Sequence, residues 1–386
     1  MFKPVDFLCF ASIIQVMNYH ECTTKQVLEE YPHIDGGWTW AKYAAKPYIG
    51  CELACNYCYE WKWLKSKDSE EKKPEPVKIL INAPQVLTKE LKDKEKDIVD
   101  IGSWQPAEKK YRLSRELLKV CASNQFPVFV QEKSEFVLQD LDVIAHIQKE
   151  TAATVAFSMV TSSLFSGFRQ IGFFEGNTMN VEKRLRAMEI FASKGITTGT
   201  MLLPIIPFIF DNEENIEAVC RATRNAGGSF IVASFLTLEH EQKDRFYNIL
   251  RKNFPDVLDN YIHLYGDKIS PKISYMEETY SMVNGYASKY GLATHMPRYI
   301  TPDSFESNKR VSEYLYNRSV SRAYKKRGRQ LAMGYRKAAQ TVDALSYDIC
   351  DVFDTMGTKG LLKIPGINAK IAEKIQKILV SIEKQQ

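Results

Sequence analysis

No apolar run in this chain of 386 residues approaches the roughly 18 needed to cross a bilayer, which argues against a spanning helix. The segment that comes nearest, Phe7-Leu-Cys-Phe-Ala-Ser-Ile-Ile-Gln-Val16, is short, follows Asp6 and lacks a small-residue cleavage site. It reads as a buried helix, not a targeting signal. Internal repeats and extended low-complexity segments are also missing. A 45% hydrophobic and 26% charged composition excludes wholesale disorder. The net charge of +5 is too mild to argue for a polyanionic partner by itself. The eight cysteines lack the density and regularity of a secreted disulfide framework. Three of them fall within eight residues, which suggests a metal site in a reducing cytoplasm and no membrane partner.

From about Lys42 onward, short apolar runs alternate with helical patterns. Expected strands are Lys42–Gly50, Ile98–Ser103, Pro127–Gln131, Thr154–Met159, Ile196–Pro204 and Ser229–Leu236. The clearest helix is Ala107–Asn124, with Leu113, Leu117 and Cys121 on one face. Others are Leu138–Glu150, Asn180–Lys194 and Asn212–Asn225. The middle one opens on a plausible cap at Asn180 and closes at Gly195. Six strand–helix repeats imply a parallel sheet covered on both faces, hence an α/β fold and a partial (β/α)6 barrel. The loops at the strand C-termini would carry the chemistry. The charged stretch Lys65–Glu75 reads as a solvated excursion.

Gly50-Cys51-Glu-Leu-Ala-Cys55-Asn-Tyr-Cys58-Tyr59 places three thiols at C-x3-C-x2-C spacing after the first expected strand. Three thiolates hold three irons of a [4Fe–4S] cube and leave the fourth iron open, which suits a reactive site better than a carrier of electrons. The amino and carboxylate groups of S-adenosylmethionine (SAM) can chelate that iron. Zinc is the competing occupant, but no second Cys or His pair follows at finger spacing, and only His20 or His33 could complete a Cys3His set. The spacing, with an aromatic before the last cysteine, is the radical-SAM signature.

Further motifs extend the likeness. They are Pro47-Tyr-Ile-Gly-Cys51, Trp104-Gln-Pro-Ala-Glu-Lys109, Glu132-Lys-Ser-Glu-Phe-Val137, Val155-Ala-Phe-Ser-Met159, Phe174-Glu-Gly-Asn-Thr178, Glu182-Lys-Arg-Leu185 and Leu203-Pro-Ile-Ile-Pro-Phe208. Over roughly Lys46 to Ile300 the chain resembles radical-SAM enzymes of the spore photoproduct lyase-like, or DNA repair photolyase-like, group. The resemblance implies SAM contacts for Ser103, Lys133 and Ser158, and places Tyr57 and Tyr59 beside the cluster and adenine. Glu175 and Arg184 would bind polar groups of SAM or pair with one another. Ordinary surface charge is the alternative for Lys133, Glu175 and Arg184, and a backbone-bonded hydroxyl for Ser158. An electron donor such as flavodoxin or ferredoxin is implied as a partner. The lyase proper uses a cysteine just before the position matching Ser103 as hydrogen donor; here Asp97-Ile-Val-Asp-Ile-Gly102 holds none. Cys121 lies on the apolar stripe and reads as core, so the thymine-dimer reaction itself is not implied.

Between Tyr314 and Val342 there is no acidic residue. Arg318, Arg322, Lys325, Lys326, Arg327, Arg329, Arg336 and Lys337 are interleaved there with Tyr316, Tyr324 and Tyr335, a pattern that can neutralise phosphates and stack bases. A solvated helix face competes with that reading. Leu361-Leu-Lys-Ile-Pro-Gly-Ile-Asn-Ala-Lys-Ile-Ala-Glu-Lys-Ile375 resembles a helix-hairpin-helix motif, with Asn368 where a second hairpin glycine is usual. Asn tolerates left-handed dihedrals, so the hairpin is expected to survive. Gly366, Asn368, Lys370 and Lys374 would face a phosphate backbone. The expected layout is an extension over 1–40 packing on the barrel, a core over 41–300, a basic linker or helix over 301–345 and an all-α helix-hairpin-helix module over 346–386. The leading expectation is a cytoplasmic radical-SAM enzyme acting on nucleic acid, DNA in the first instance. Its rivals are the same chemistry on RNA or protein, and a non-catalytic Fe–S nucleic-acid binder whose cluster is closed by His20 or Cys22.

Overall fold

A computed structural model describes residues 19–58, 76–176, 178, 180–302 and 304–383. The apolar run 7–16, the charged stretch 65–75, Cys9 and Tyr59 lie outside the described residues. The strands are β1 (Tyr19–Cys22), β2 (Leu28–Glu30), β3 (Tyr43–Ala45), β4 (Tyr48–Ile49), β5 (Val77–Leu80), β6 (Val99–Ile101), β7 (Val128–Glu132), β8 (Ala153–Ser158), β9 (Thr197–Ile205) and β10 (Phe230–Phe235). The barrel helices are α1 (Ala83–Glu90), α2 (Glu108–Tyr111), α3 (Leu113–Ser123), α4 (Leu141–Glu150), α5 (Val181–Ser193) and α6 (Glu213–Asn225). After β10 come α7 (His240–Asn253), α8 (Pro255–Tyr265) and α9 (Ile273–Lys289). The C-terminal helices are α10 (Glu306–Ala323), α11 (Arg329–Asp343), α12 (Ile349–Leu361) and α13 (Ala369–Glu383).

Six strands, in the order β3-β6-β7-β8-β9-β10, pair in parallel, and β2 adds antiparallel to the β3 edge. This is the expected partial barrel. Period-two alternation sorts its side chains. Val128 and Val130 of β7 join a core with Leu117, Leu118 and Ile144 of the covering helices. Phe129 points to the other face and shares a core with Ala156, Met201 and Val232.

Three expected elements come out differently. The run Lys42–Gly50 is not one strand: β3 belongs to the barrel, whereas β4 pairs with β5 in a separate three-stranded sheet with β1. Pro47 stands between them and has no N–H to continue a ladder. The helix expected over Ala107–Asn124 divides at Arg112, which adopts φ 54 and reaches Asp140 at 2.7 Å. Its apolar stripe, Leu113, Leu117 and Cys121, is buried as expected. The helix expected from Leu138 starts at Leu141, after a 3-10 segment over Glu135–Asp140. Asn180 does cap α5, accepting the Lys183 N–H at 2.9 Å, and Gly195 takes φ 70.

The basic stretch expected as a linker forms α10 and most of α11, an antiparallel hairpin packed against α12 and α13. The three tyrosines expected to stack bases, Tyr316, Tyr324 and Tyr335, are not free to do so. Tyr316 and Tyr335 are buried, and Tyr324 packs on Phe235 and Tyr280 with ring centroids 5.1 and 4.8 Å away. Composition alone could not show which face of each helix they occupy. The hairpin closes the open side of the barrel. Tyr316 lies over Gly36 beside the β3 edge, where a Cβ would come within 2.4 Å of the ring, and Tyr324 reaches the β10 edge. Trp40 donates its indole N–H to the Met296 carbonyl at 2.7 Å within this shared core, and the Arg298–Asp343 ion pair at 2.7 Å ties the segment after α9 to α11. Among the described residues no helix is long and apolar enough to cross a membrane.

Candidate active site

Cys51, Cys55 and Cys58 border one cavity of about 160 Å³ together with Ser103, Gln131, Glu132, Lys133 and Ser158. The last five come from the C-terminal ends of β6, β7 and β8, where a parallel barrel collects its chemistry. The cysteine loop is pinned from several sides. Glu52 donates its N–H to Gln105 at 2.9 Å, and its carboxylate accepts the Ala107 N–H at 2.7 Å. The Asn56 N–H donates to the Phe174 carbonyl at 2.7 Å. From α7, Gln242 donates to the Tyr57 carbonyl at 2.7 Å and Arg245 to the Cys58 carbonyl at 3.1 Å. The loop is therefore held largely through its backbone, and its three cysteines line the cavity.

Burial pushes the Cys51 thiol up to about 12 and the Cys55 thiol up to about 11, the latter opposed by Lys133. Such thiols are neutral until a cation between them favours the thiolate form. Among the described residues, no three His, Cys, Asp or Glu side chains are grouped to hold a single ion. The three cysteines instead line one cavity with residues that carry hydroxyl, amide and ammonium groups, and three thiols are the donor type that a [4Fe–4S] cluster takes. His20 and His33 are exposed, Cys22 packs against a different core, and none of the three borders the cavity.

Behind the cavity lies a buried ionic network. Glu175 accepts from Arg184 Nη2 at 2.5 Å, from Lys133 Nζ at 3.0 Å and from the Tyr57 hydroxyl. Arg184 also donates to the Ser158 carbonyl at 2.8 Å and to the Thr178 hydroxyl at 2.8 Å. Glu175 and Arg184 thus pair with one another, and the surface-charge alternative fails because both side chains are 1% exposed. Neither they nor the buried Tyr57 reach the cavity wall. Lys133 does, and it joins the network to the cavity through a 2.8 Å contact with the Tyr57 hydroxyl. Ser158 is buried and accepts from Gln131 at 2.9 Å, so it has a polar partner as well as a place on the wall.

Gln131 is not singled out by the sequence, and Glu132 only opens one of the motifs, with no role assigned to it. Gln131 is the inward residue two beyond Phe129, so strict alternation along β7 could have found it. Gln242 and Arg245 carry no such signal, because they meet the loop across 185 and 187 residues. Glu132 is buried and accepts the Trp104 N–H at 2.8 Å. Burial pushes its carboxyl up to about 8, with the Trp104 and Lys133 N–H groups opposing. Because the folded value exceeds the unfolded one of about 4.3, this carboxyl favours folding below pH 4 and loses that contribution as pH rises through 8. Denaturant titrations of the metal-free protein should therefore show Glu132→Gln gaining on wild type between pH 5.5 and 9. An identical pH slope in both proteins would contradict the assignment.

In the C-terminal module, Gly366 takes φ 85, as a tight hairpin needs. Asn368 does not serve as a second left-handed residue. It caps α13, its side chain accepting the Ile371 N–H at 3.1 Å, and so takes one of the first-turn amides that a phosphate would otherwise use. Ile367, Ile371, Ile375 and Leu379 face the core as expected. Lys325, Lys326, Arg327, Arg329 and Lys370 are exposed and Lys374 is half-buried.

Each part is similar to something known. A helix-hairpin-helix domain model matches residues 306–383, beginning at α10 and including the basic hairpin. A spore photoproduct lyase mutant with bound AdoMet and dinucleoside spore photoproduct superposes with a TM-score of 0.52 at 17% identity, over 72% of this chain and 82% of that one. A second mutant of the same lyase gives 0.51 at 15% identity, with the same two coverages. An uncharacterized protein of Mycobacterium tuberculosis is 24% identical over 292 residues, 73% of this chain and 84% of that protein. One from Methanocaldococcus jannaschii is 28% identical over 233 residues, 56% of this chain and 78% of its own.

Proposed function

From a chain that carries the partial-barrel fold of spore photoproduct lyase and a C-terminal helix-hairpin-helix domain, we infer a radical-SAM enzyme that acts on nucleic acid. The observation that carries this reading is the convergence of Cys51, Cys55 and Cys58 with Ser103, Lys133 and Ser158 on one cavity at the strand C-termini. When bound there, a [4Fe–4S] cluster supplies the electron that breaks the sulfonium bond of SAM and so yields a 5′-deoxyadenosyl radical. The chain's own residues hold and orient. The three thiolates would hold the cluster, Ser103 and Ser158 would offer hydroxyls to the amino acid and ribose parts of SAM, and Lys133 would offer positive charge to a carboxylate. Glu175, Arg184 and Tyr57 set the position of Lys133 from behind. A low-potential partner such as flavodoxin or ferredoxin would deliver the electron, in a cytoplasmic setting.

The nucleic-acid part of the proposal rests on the second module. Lys325, Lys326, Arg327 and Arg329 are exposed cations suited to phosphates, and the hairpin around Gly366 offers a second such element. DNA with a damaged base is the substrate that best joins this surface to a lyase fold.

The deciding experiment measures 5′-deoxyadenosine release by anaerobically reconstituted, dithionite-reduced protein, with and without ultraviolet-irradiated duplex DNA. Release stimulated by irradiated DNA is expected. Release indifferent to DNA would move the substrate to RNA or protein, and no release from a fully loaded cluster would defeat the enzymatic reading. A companion titration addresses the grip. Lys370→Gln with Lys374→Gln should lower the salt slope of DNA affinity by about one unit for each phosphate that is no longer neutralised. SAM cleavage without DNA should be unchanged. An unaltered slope would place the DNA elsewhere.

A further inference from the structure

A second cavity, larger than the one at the cysteines, lies away from them. It is a cleft of about 630 Å³ between α9, residues 294–295 and α10, within the range of roughly 300–1,000 Å³ found for small-ligand pockets. Residues of α10 spaced three and four apart line it: Arg310, Glu313, Tyr314, Asn317, Arg318 and Ser321. The other face of α10, with Val311, Leu315 and Tyr316, is buried in the core shared with the barrel. The helix therefore presents a second, polar face that its packing does not explain.

We propose that this cleft is a binding site for a single unpaired nucleotide. Three features specify that ligand. Asn317 lines the cleft, and its buried side-chain carbonyl has no hydrogen-bond partner among the described residues, so a turn of the amide would bring it to an N–H donor such as a base edge supplies. The Arg318 guanidinium lies over the Tyr314 ring at 5.2 Å, and its Nε donates to the Tyr314 hydroxyl at 3.0 Å, which fixes a flat platform of the kind on which bases stack. Two arginines line the cleft against one carboxylate, Glu313, and Arg310 meets Glu306 and Glu313 only at 3.4 Å in an exposed setting. That weak pairing leaves the guanidinium available to a phosphate. The cleft shares no lining residue with the cysteine cavity, and its residues are distinct from the hairpin around Gly366. The site thus stands whether or not the radical chemistry does.

The same chemistry could come as a free nucleotide or as an unpaired residue within a strand, and two probes separate them. The full-length protein is titrated with 5′-AMP, and with a DNA duplex carrying one unpaired adenine alongside the fully paired duplex. Arg310→Gln and Asn317→Leu are compared with wild type, and Cys51→Ala and the double variant Lys370→Gln/Lys374→Gln serve as controls. Binding of 5′-AMP that each cleft variant weakens roughly tenfold, the effect of removing one strong hydrogen bond, with both controls unchanged, supports a free-nucleotide site. A preference for the unpaired adenine that the cleft variants erase, without 5′-AMP binding, supports a site for a strand residue. If neither probe distinguishes the cleft variants from wild type, the proposal is wrong. Arg310 is partly exposed and makes only 3.4 Å ion pairs, so its variant folds and keeps the test decisive if Asn317→Leu does not.

Discussion

Cys51→Ala is expected to lose bound iron and SAM cleavage together, by more than about 100-fold, while the protein stays folded. Loss of even an outer partner of a metal ligand typically costs 10–100-fold, and here one of the three proposed ligands would itself be removed. The fold should tolerate the change, because Glu52, Asn56 and Arg245 hold the loop through hydrogen bonds that do not use the Cys51 thiol. Cys121→Ala is the matched control. Its thiol is buried on α3 in the core with Leu117 and Leu118 and is not part of the cavity lining, so it should cost a little stability and no iron. Iron and sulfide per chain, the visible absorption of the reconstituted protein and 5′-deoxyadenosine release are the readouts. If Cys51→Ala keeps its iron and its cleavage, the cysteines do not hold the cluster.

The contrast between these two cysteines shows what is legible in the sequence. Cys121 recurs with Leu113 and Leu117 at helical spacing, and period alone assigns it to the core. Cys51, Cys55 and Cys58 share a loop with polar and aromatic neighbours, and spacing alone assigns them to chemistry. Strand ends are legible for the same local reason, but Ser103, Lys133 and Ser158 at those ends are picked out by the family resemblance, and nothing local shows that they share a cavity. Partnership between distant segments is not legible. Glu175 and Arg184 are recognisable as individual residues, but nothing local shows that they lie behind the cavity wall instead of on it. The tyrosines of the basic stretch mislead for a related reason. Tyr316, Tyr324 and Tyr335 look like stacking residues in composition, yet they fill the open edge of a barrel that only the complete topology creates. Asn368 misleads more narrowly, because an asparagine before a helix can cap as readily as it can turn, and here it caps.

Removing the Glu175 charge should be the most destabilising change in the site. Burial pushes this carboxyl up, but Lys133 and Arg184, with the Arg184 and Tyr57 hydrogen bonds, more than reverse that and hold it well below the usual carboxylate range. Glu175→Gln leaves the Arg184 guanidinium buried without its counter-charge, a situation that costs about 3–5 kcal/mol in comparable buried pairs. The sign of the pH dependence follows. The unfolded carboxyl takes up a proton near pH 4.3 while the folded one remains ionised, so the stabilisation is complete above that pH and is lost as pH falls through the lower folded value. Denaturant unfolding of the metal-free protein should therefore show the full gap between wild type and Glu175→Gln at pH 7 and a smaller gap at pH 3.5. Glu175→Asp, which restores charge at shorter reach, should recover part of the loss. A gap that is constant across this range would mean that the cost comes from shape and not from charge. The same variant also links stability to chemistry, because Lys133, which Glu175 holds directly, borders the cavity. Freed from Glu175, it loses its fixed position, and SAM affinity should fall even under conditions where the variant remains folded. Equilibrium dialysis of SAM against reconstituted protein at pH 7 reads that effect apart from unfolding.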